Sequence, residues 1–210
     1  MVVCVIGDVV ASREVADQRR LLTGLAAAVG DLEHAWSAAP TTGDEFQATF
    51  ADLPTAVVAL AGLRLRLLDD PPADEAVEVR LGLGVGDITG DPRDAGAPGQ
   101  SGAGWWHARA ALDHLAAPRR AWPTLRWWVV AAPDADLDLA PLRATLVALD
   151  TLAARFDATD VSLARGLLRG ETARTLAGRL AITPQSVGER LHGHGVYGYV
   201  RTLQTWRETP

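Results

Sequence analysis

The sequence contains no lysine, because all 20 basic residues among its 210 residues are arginine. This absence excludes mechanisms that need a lysine Schiff base, a lysine nucleophile or the lysine of a Walker-type phosphate loop. Cysteine is nearly absent as well, since Cys4 is the single one. One cysteine excludes an intrachain disulfide and a cysteine-ligated zinc site, and it favours a reducing, cytoplasmic location.

Long apolar runs are also missing. The apolar start Met1–Ile6 is followed at once by Asp8, so it is too short for a signal peptide or a membrane span. With 48% hydrophobic and 22% charged residues, the chain is nevertheless too apolar for wholesale disorder. We therefore expect a folded protein without a membrane partner.

The net charge of −6 argues against a nucleic-acid partner only as an average over the chain. Residues 1–159 carry 13 arginines and 22 acidic residues, a balance of −9. Residues 160–210 carry 7 arginines and 4 acidic residues, a balance of +3. This asymmetry indicates two modules, of which the basic one is suited to a phosphate backbone.

The hydrophobic pattern predicts an α+β fold followed by helices. Apolar runs and turn residues give the order βαββαβ, then a further helix and strand, then an all-helical tail. A ferredoxin-like, four-stranded antiparallel sheet with two helices on one face satisfies the βαββαβ order with right-handed crossovers. We expect this domain over residues 1–132, a connecting helix over 133–158 and a helical domain over 159–210.

Three carboxylates are predicted to meet at one end of the sheet. In a βαββαβ sheet the first strand lies antiparallel to the third, which places Asp8 beside Asp44 and Glu45. Such a cluster would repel itself without a cation, and Mg²⁺ with a bound nucleotide is suited to it. Gly7 and Gly43 would let the backbone approach that ligand. Each Gly-Asp pair taken alone is also an ordinary turn.

Alternate glycines at Gly82, Gly84 and Gly86 mark the fourth predicted strand. They lack the following helix of a dinucleotide fingerprint, so they indicate small residues that clear space on one sheet face. That space would hold either a base or a packed neighbour, and core packing is the favoured interpretation.

Residues 171–191 have the spacing of a helix-turn-helix. Thr183 caps the second helix and Pro184 occupies its first turn, whereas Ala181 stands where the turn usually has glycine. The first residues of a recognition helix meet base edges, and flanking arginines meet phosphates. The predicted DNA-binding residues are Arg174, Arg179, Thr183, Gln185, Ser186 and Arg190. An ordinary helical hairpin, or one that binds protein, is the alternative.

Three blocks of the sequence together resemble the SatD family: residues 5–13, 42–47 and 80–86. That resemblance implies an amino-terminal domain similar to class III nucleotidyl cyclases and diguanylate cyclases, and a carboxyl-terminal helix-turn-helix. It implies that Asp8 and Asp44 are the metal-binding aspartates. The predicted nucleotide-binding residues are Gly7, Gly43, Glu45 and Arg109.

The sequence departs from the cyclase pattern on the helix after the glycine strand. His107 stands where cyclases typically have asparagine, and Ala111 stands where they have the arginine that stabilises the transition state. Arg109 lies on another side of this helix, and no lysine is present for base recognition. Metal-binding aspartates combined with altered catalytic partners favour binding over cyclisation.

The leading hypothesis is a homodimeric DNA-binding transcriptional regulator whose cyclase-like domain binds a nucleotide or second messenger with Mg²⁺. The alternative is a nucleotidyl cyclase or nucleotidyltransferase that uses the same carboxylates. A third hypothesis is a degenerate cyclase fold that serves only for dimerisation.

Overall fold

The computed structural model describes residues 1–73, 75–94, 100–117, 122–133 and 135–208. An α+β fold is found, as the sequence predicts. Its five strands are β1 (Val2–Val9), β2 (Ser37–Pro40), β3 (Glu45–Phe50), β4 (Val79–Gly86) and β5 (Trp127–Ala131).

Three helices alternate with these strands and five follow them. The first three are α1 (Gln18–Gly30), α2 (Leu53–Asp69) and α3 (Ala103–Ala116). The tail comprises α4 (Leu139–Ala153), α5 (Ala158–Leu168), α6 (Ala173–Arg179), α7 (Pro184–Gly193) and α8 (Val196–Glu208). Within the described residues, none of these helices is long and apolar enough to cross a membrane.

The strands form one sheet in the order β2-β3-β1-β4-β5. β1 pairs antiparallel with β3, which confirms that the first strand lies beside the third. β1 also pairs antiparallel with β4 on its other side. β5 adds to the far edge in parallel with β4, so the sheet is mixed and has five strands. The added strand follows from the extra helix and strand in the sequence order.

Helices cover both faces of the sheet. Val3 and Val5 point to the face covered by α1 and α2, whereas Cys4 and Ile6 point to the face covered by α3. This alternation is the period-two geometry of a strand buried on both sides. The expectation of two helices on one face therefore holds for α1 and α2, while α3 lies opposite them.

The glycines of β4 lie directly under the backbone of α3. A Cβ added to Gly82 would stand 2.3 Å from the carbonyl oxygen of Ala108, and one added to Gly84 would stand 2.1 Å from that of Gly104. Real Cβ atoms do not approach backbone atoms this closely, so only glycine admits the helix. The packing interpretation of this strand is confirmed, and the neighbour it admits is a helix backbone.

The tail packs onto α2, and the buried core continues from the sheet into α5 and α8. A buried ion pair crosses this junction, with 2.6 Å between Arg64 Nη1 and Asp150 Oδ1. Nearby, Asp69 accepts hydrogen bonds from Ser162 and Arg165 of α5. These contacts join residues 1–132 to the tail by polar as well as apolar packing.

Candidate functional site

The carboxylates that the sequence assigns to a ligand site lie at one end of β1. Asp8 is opposite Glu45 in β3 and opposite Arg80 in β4. Asp44 precedes Glu45 in the turn that leads into β3. We refer to Asp8, Asp44, Glu45, Arg80 and Arg109 as the acid–arginine cluster.

Two guanidinium groups pair with two of the carboxylates in this cluster. Arg80 donates to both oxygens of Asp8, with Nε 2.9 Å from Oδ1. Arg109, from α3, donates to both oxygens of Glu45, at 3.0 and 2.8 Å. Forked contacts of this type are the strongest geometry for an arginine with a carboxylate.

The electrostatics show that the carboxylates are close enough to repel one another. Burial raises the pKa of Asp8, the Arg80 hydrogen bond and charge lower it, and the charges of Asp44 and Glu45 raise it further. The hydrogen bond to Glu45 raises the pKa of Arg109, against the opposing effect of its partial burial. The charges of Asp44 and Glu45 therefore act against the ionised form of Asp8, and Arg80 acts in its favour.

As arranged, the cluster does not fit a resident Mg²⁺. This ion binds carboxylate oxygens directly, but both oxygens of Asp8 and both of Glu45 already accept hydrogen bonds from arginine. No group of three His, Cys, Asp or Glu side chains suited to a metal occurs in the part of the chain that the structure describes. Mg²⁺ binding at Asp8 and Asp44 stays a prediction, and we assign no step to it.

Sequence reasoning missed the role of Arg80. It belongs to the block that resembles the SatD family, but only the pairing of β1 with β4 places it opposite Asp8. The signal was available, since a ferredoxin-like order puts the first strand between the third and the fourth. An arginine at the matching register position would have indicated the ion pair.

Packing and turn geometry account for the two glycines assigned to the site. A Cβ on Gly7 would stand 2.3 Å from the ring of Phe46, so that ring requires the glycine. Gly43 has a φ of 67°, the left-handed conformation that the turn before β3 needs. Neither glycine requires a ligand to explain it.

The two positions aligned with cyclase catalytic residues lie on α3. His107 is half-buried, and its Nδ1 is 2.9 Å from the carbonyl oxygen of Val85. Ala111 is fully buried, so the place of the cyclase arginine lies in the protein core. Neither position therefore presents the exposed polar side chain that the cyclase pattern has there.

In the tail, α6 and α7 are separated by a turn at Ala181, and α7 begins at Pro184, as the sequence predicts. Ala181 has a φ of 52°, the left-handed conformation for which glycine is usual at this turn. The Thr183 side chain accepts a hydrogen bond from the backbone nitrogen of Ser186 at 3.1 Å, which confirms the predicted cap. Leu176 and Val187 are buried where the two helices pack.

The exposed positions of this helical pair differ in their contacts. Gln185 is exposed and donates to Glu189, one turn further along α7. Arg174 is exposed and makes no ion pair with any residue that the structure describes. Arg179 contacts Glu171 at 3.3 Å. Ser186 is half-buried.

Arg190 does not face outward, in contrast to the sequence expectation. Its Nη1 lies 2.7 Å from Asp157 and 2.9 Å from Asp160, both at the start of α5. The hydrogen bond from Arg190 lowers the pKa of Asp157. Asp160 is buried, so a nearby cation stabilises its charge. Arg190 therefore holds α7 against α5.

Comparison with known proteins gives one family. No curated protein matches the chain. The profile of the SatD family matches residues 2–209, nearly the whole length. On this match, together with the three sequence blocks that fall on β1, β3 and β4, the chain belongs to the SatD family.

Proposed function

We propose that this protein is a DNA-binding transcriptional regulator that reads DNA through the first turns of α7. The observation that carries the proposal is the exposed start of α7, held at a fixed angle by the turn at Ala181 and the cap at Thr183. Recognition helices of helix-turn-helix proteins place these first residues at base edges in the major groove.

The side chains at this end of α7 are suited to base contacts. Thr183 and Gln185 are exposed. Among the described residues the Gln185 amide donates to Glu189, and a base edge in the groove could replace this exposed contact. Glutamine pairs in a bidentate manner with adenine. Ser186 is partly covered and has the shorter reach.

We assign the phosphate contacts to Arg174 and, with a smaller contribution, to Arg179. Arg174 has no ion-pair partner among the described residues, so its whole positive charge is available to attract a DNA phosphate. Arg179 would first leave Glu171, an exchange that reduces its contribution. Arg190 is better assigned to positioning α7, because Asp157 and Asp160 already hold it. A homodimer would present two copies of α7 to paired half-sites.

The amino-terminal part of the proposal is that the acid–arginine cluster of a cyclase-like domain binds a nucleotide or second messenger. Phosphate oxygens would take the Arg109 guanidinium from Glu45, since this pair is the more exposed of the two. Arg80 is less accessible, because it neutralises the half-buried Asp8. Gly7 and Gly43 need no ligand, so the two arginines support this part.

A salt titration tests the phosphate contacts. Fragmented genomic DNA is enriched on the full chain, and binding to the recovered fragments is measured by fluorescence anisotropy between 50 and 200 mM salt. Arg174→Gln should weaken binding across sequences and reduce the salt slope by about 1. Arg155→Gln, at an exposed arginine between α4 and α5, is the control. Absence of any enriched fragment would exclude the regulator.

The alternative is a nucleotidyl cyclase or nucleotidyltransferase. Incubation of the full chain with each nucleoside triphosphate and Mg²⁺ or Mn²⁺ distinguishes this enzyme from a regulator without catalytic activity. A product that disappears in Asp44→Asn would make the protein an enzyme. The buried Ala111 and the carbonyl-bound His107 lead us to expect no product.

A further inference from the structure

We propose that the groove between α1, α2, α5 and α8 binds a small organic phosphate with an apolar body. The groove has a volume of about 620 Å³ and lies where the tail meets the helices that cover the sheet. Small-molecule sites typically have volumes of roughly 300–1,000 Å³ and favour such junctions. The groove is separate from the residues assigned to nucleotide and DNA binding.

The groove is lined by two carboxylates, Asp31 and Glu33, and by four arginines, which leave it positively charged: Arg66, Arg165, Arg169 and Arg207. Two of them are paired, since Arg66 contacts Asp31 at 2.9 Å and Arg165 contacts Asp69 at 2.6 Å. Arg169 and Arg207 are exposed and make no ion pair with a described residue. Two guanidinium groups without an ion-pair partner among the described residues, in one groove of an acidic protein, indicate an anionic ligand.

The chemistry of guanidinium favours a phosphate over a single carboxylate. A phosphate monoester offers three oxygens and close to two negative charges at neutral pH, which two arginine forks are able to share. A carboxylate offers two oxygens and one charge. Arg66 and Arg165 are neutralised by Asp31 and Asp69, so Arg169 and Arg207 supply the attraction for the ligand.

Apart from Asp31 and Glu33, the remainder of the lining is apolar. Half-buried side chains from α2, α5 and the segment after α1 contribute to it: Leu32, Val58, Ala59 and Leu168. Gly62 also lines the groove, and a Cβ there would meet no atom within 4 Å. An inorganic ion would leave this surface exposed to water, so the ligand has an apolar body attached to its phosphate.

Isothermal titration of the full chain with phenyl phosphate, inorganic phosphate and benzoate tests the proposal. Phenyl phosphate should bind more tightly than either other probe, because it alone combines the dianion with an apolar ring. The double variant Arg169→Gln/Arg207→Gln should weaken its binding at least tenfold. Gly62→Leu should do the same by filling the groove without removing a charge.

The control variant is Arg13→Gln/Arg155→Gln, which removes two exposed arginines that do not line the groove. It should bind phenyl phosphate as the wild type does. No binding of phenyl phosphate below about 10 mM, equal binding of benzoate, or unchanged binding in the groove variants would each overturn the proposal.

Discussion

The acid–arginine cluster and the groove beneath the tail both collect arginines, but they use them differently. In the cluster, each guanidinium binds a carboxylate through two hydrogen bonds. In the groove, Arg169 and Arg207 have no such partner among the described residues. The same side chain therefore neutralises the acidic end of the sheet in one region and remains available to a ligand in the other.

The largest expected loss of stability is at the junction between α2 and the helical tail, where Arg64 pairs with Asp150. Asp150→Ala would leave the buried Arg64 with Glu78, at 3.4 Å, as its carboxylate partner among the described residues. It would also remove the acceptor of the Arg126 backbone nitrogen. Removal of one partner from a buried pair costs about 3–5 kcal/mol. Urea denaturation measures this change in the free energy of unfolding.

The matched control for this variant is Asp138→Ala, which removes an exposed helix cap of α4. Loss of such a cap costs about 1 kcal/mol. If Asp150→Ala lost no more stability than this control, the buried pair would not be what joins the tail to α2.

A smaller loss of stability is expected from Arg190→Ala. The change leaves the buried carboxylate of Asp160 with His194 as its remaining side-chain partner, at 2.8 Å. Because Arg190 is partly exposed, we expect a cost of about 2 kcal/mol rather than that of a fully buried pair. Thermal and urea unfolding measure it.

This loss should depend on pH in a defined direction. The hydrogen bond from Arg190 lowers the pKa of Asp157 below its value in the unfolded chain, which is about 3.9. Its stabilisation is therefore complete above that value and disappears as the pH falls through the lower, folded value. The difference in unfolding free energy between wild type and Arg190→Ala should narrow from pH 6 to pH 3. A difference that widens toward acid would contradict the assigned contact.

The smallest change in stability is expected in the cluster. The Glu45–Arg109 pair is partly exposed, so Arg109→Gln should change the free energy of unfolding by less than about 1 kcal/mol.

The double variant Arg80→Gln/Arg109→Gln frees both carboxylates and should bind Mg²⁺ more tightly than the wild type in a calorimetric titration. Tighter binding by the wild type would show that the arginines do not occupy the metal's ligands.

Much of the fold could be predicted because it follows from local patterns. The strand order from β1 to β4 follows from alternating apolar residues and the rules for crossovers, and the α7 cap follows from Thr183 and Pro184 alone. The added parallel pairing of β5 is not fixed by either pattern. The pairing depends on which edge of the sheet lacks a neighbouring strand, and in the folded chain β5 pairs with the edge of β4.

The charged contacts could not be predicted in the same way, because their partners are distant in sequence. Arg190 is 33 residues from Asp157, and Arg64 is 86 residues from Asp150. Helical spacing places Arg190 on the surface of an isolated helix, but the start of α5 covers that surface in the folded chain. The groove likewise exists only through the packing of α8 and α5 against α1 and α2.

The most direct test of DNA reading through α7 is a single added charge at its start. Gln185→Glu places a carboxylate where base edges and phosphates would come, while an acid in the first turn of a helix is favourable for folding. Thr151→Glu adds the same charge at an exposed position of α4. In fluorescence anisotropy with the enriched genomic fragment, we expect at least tenfold weaker binding for Gln185→Glu and wild-type binding for Thr151→Glu. Equal affinities for the two variants would contradict DNA reading through α7.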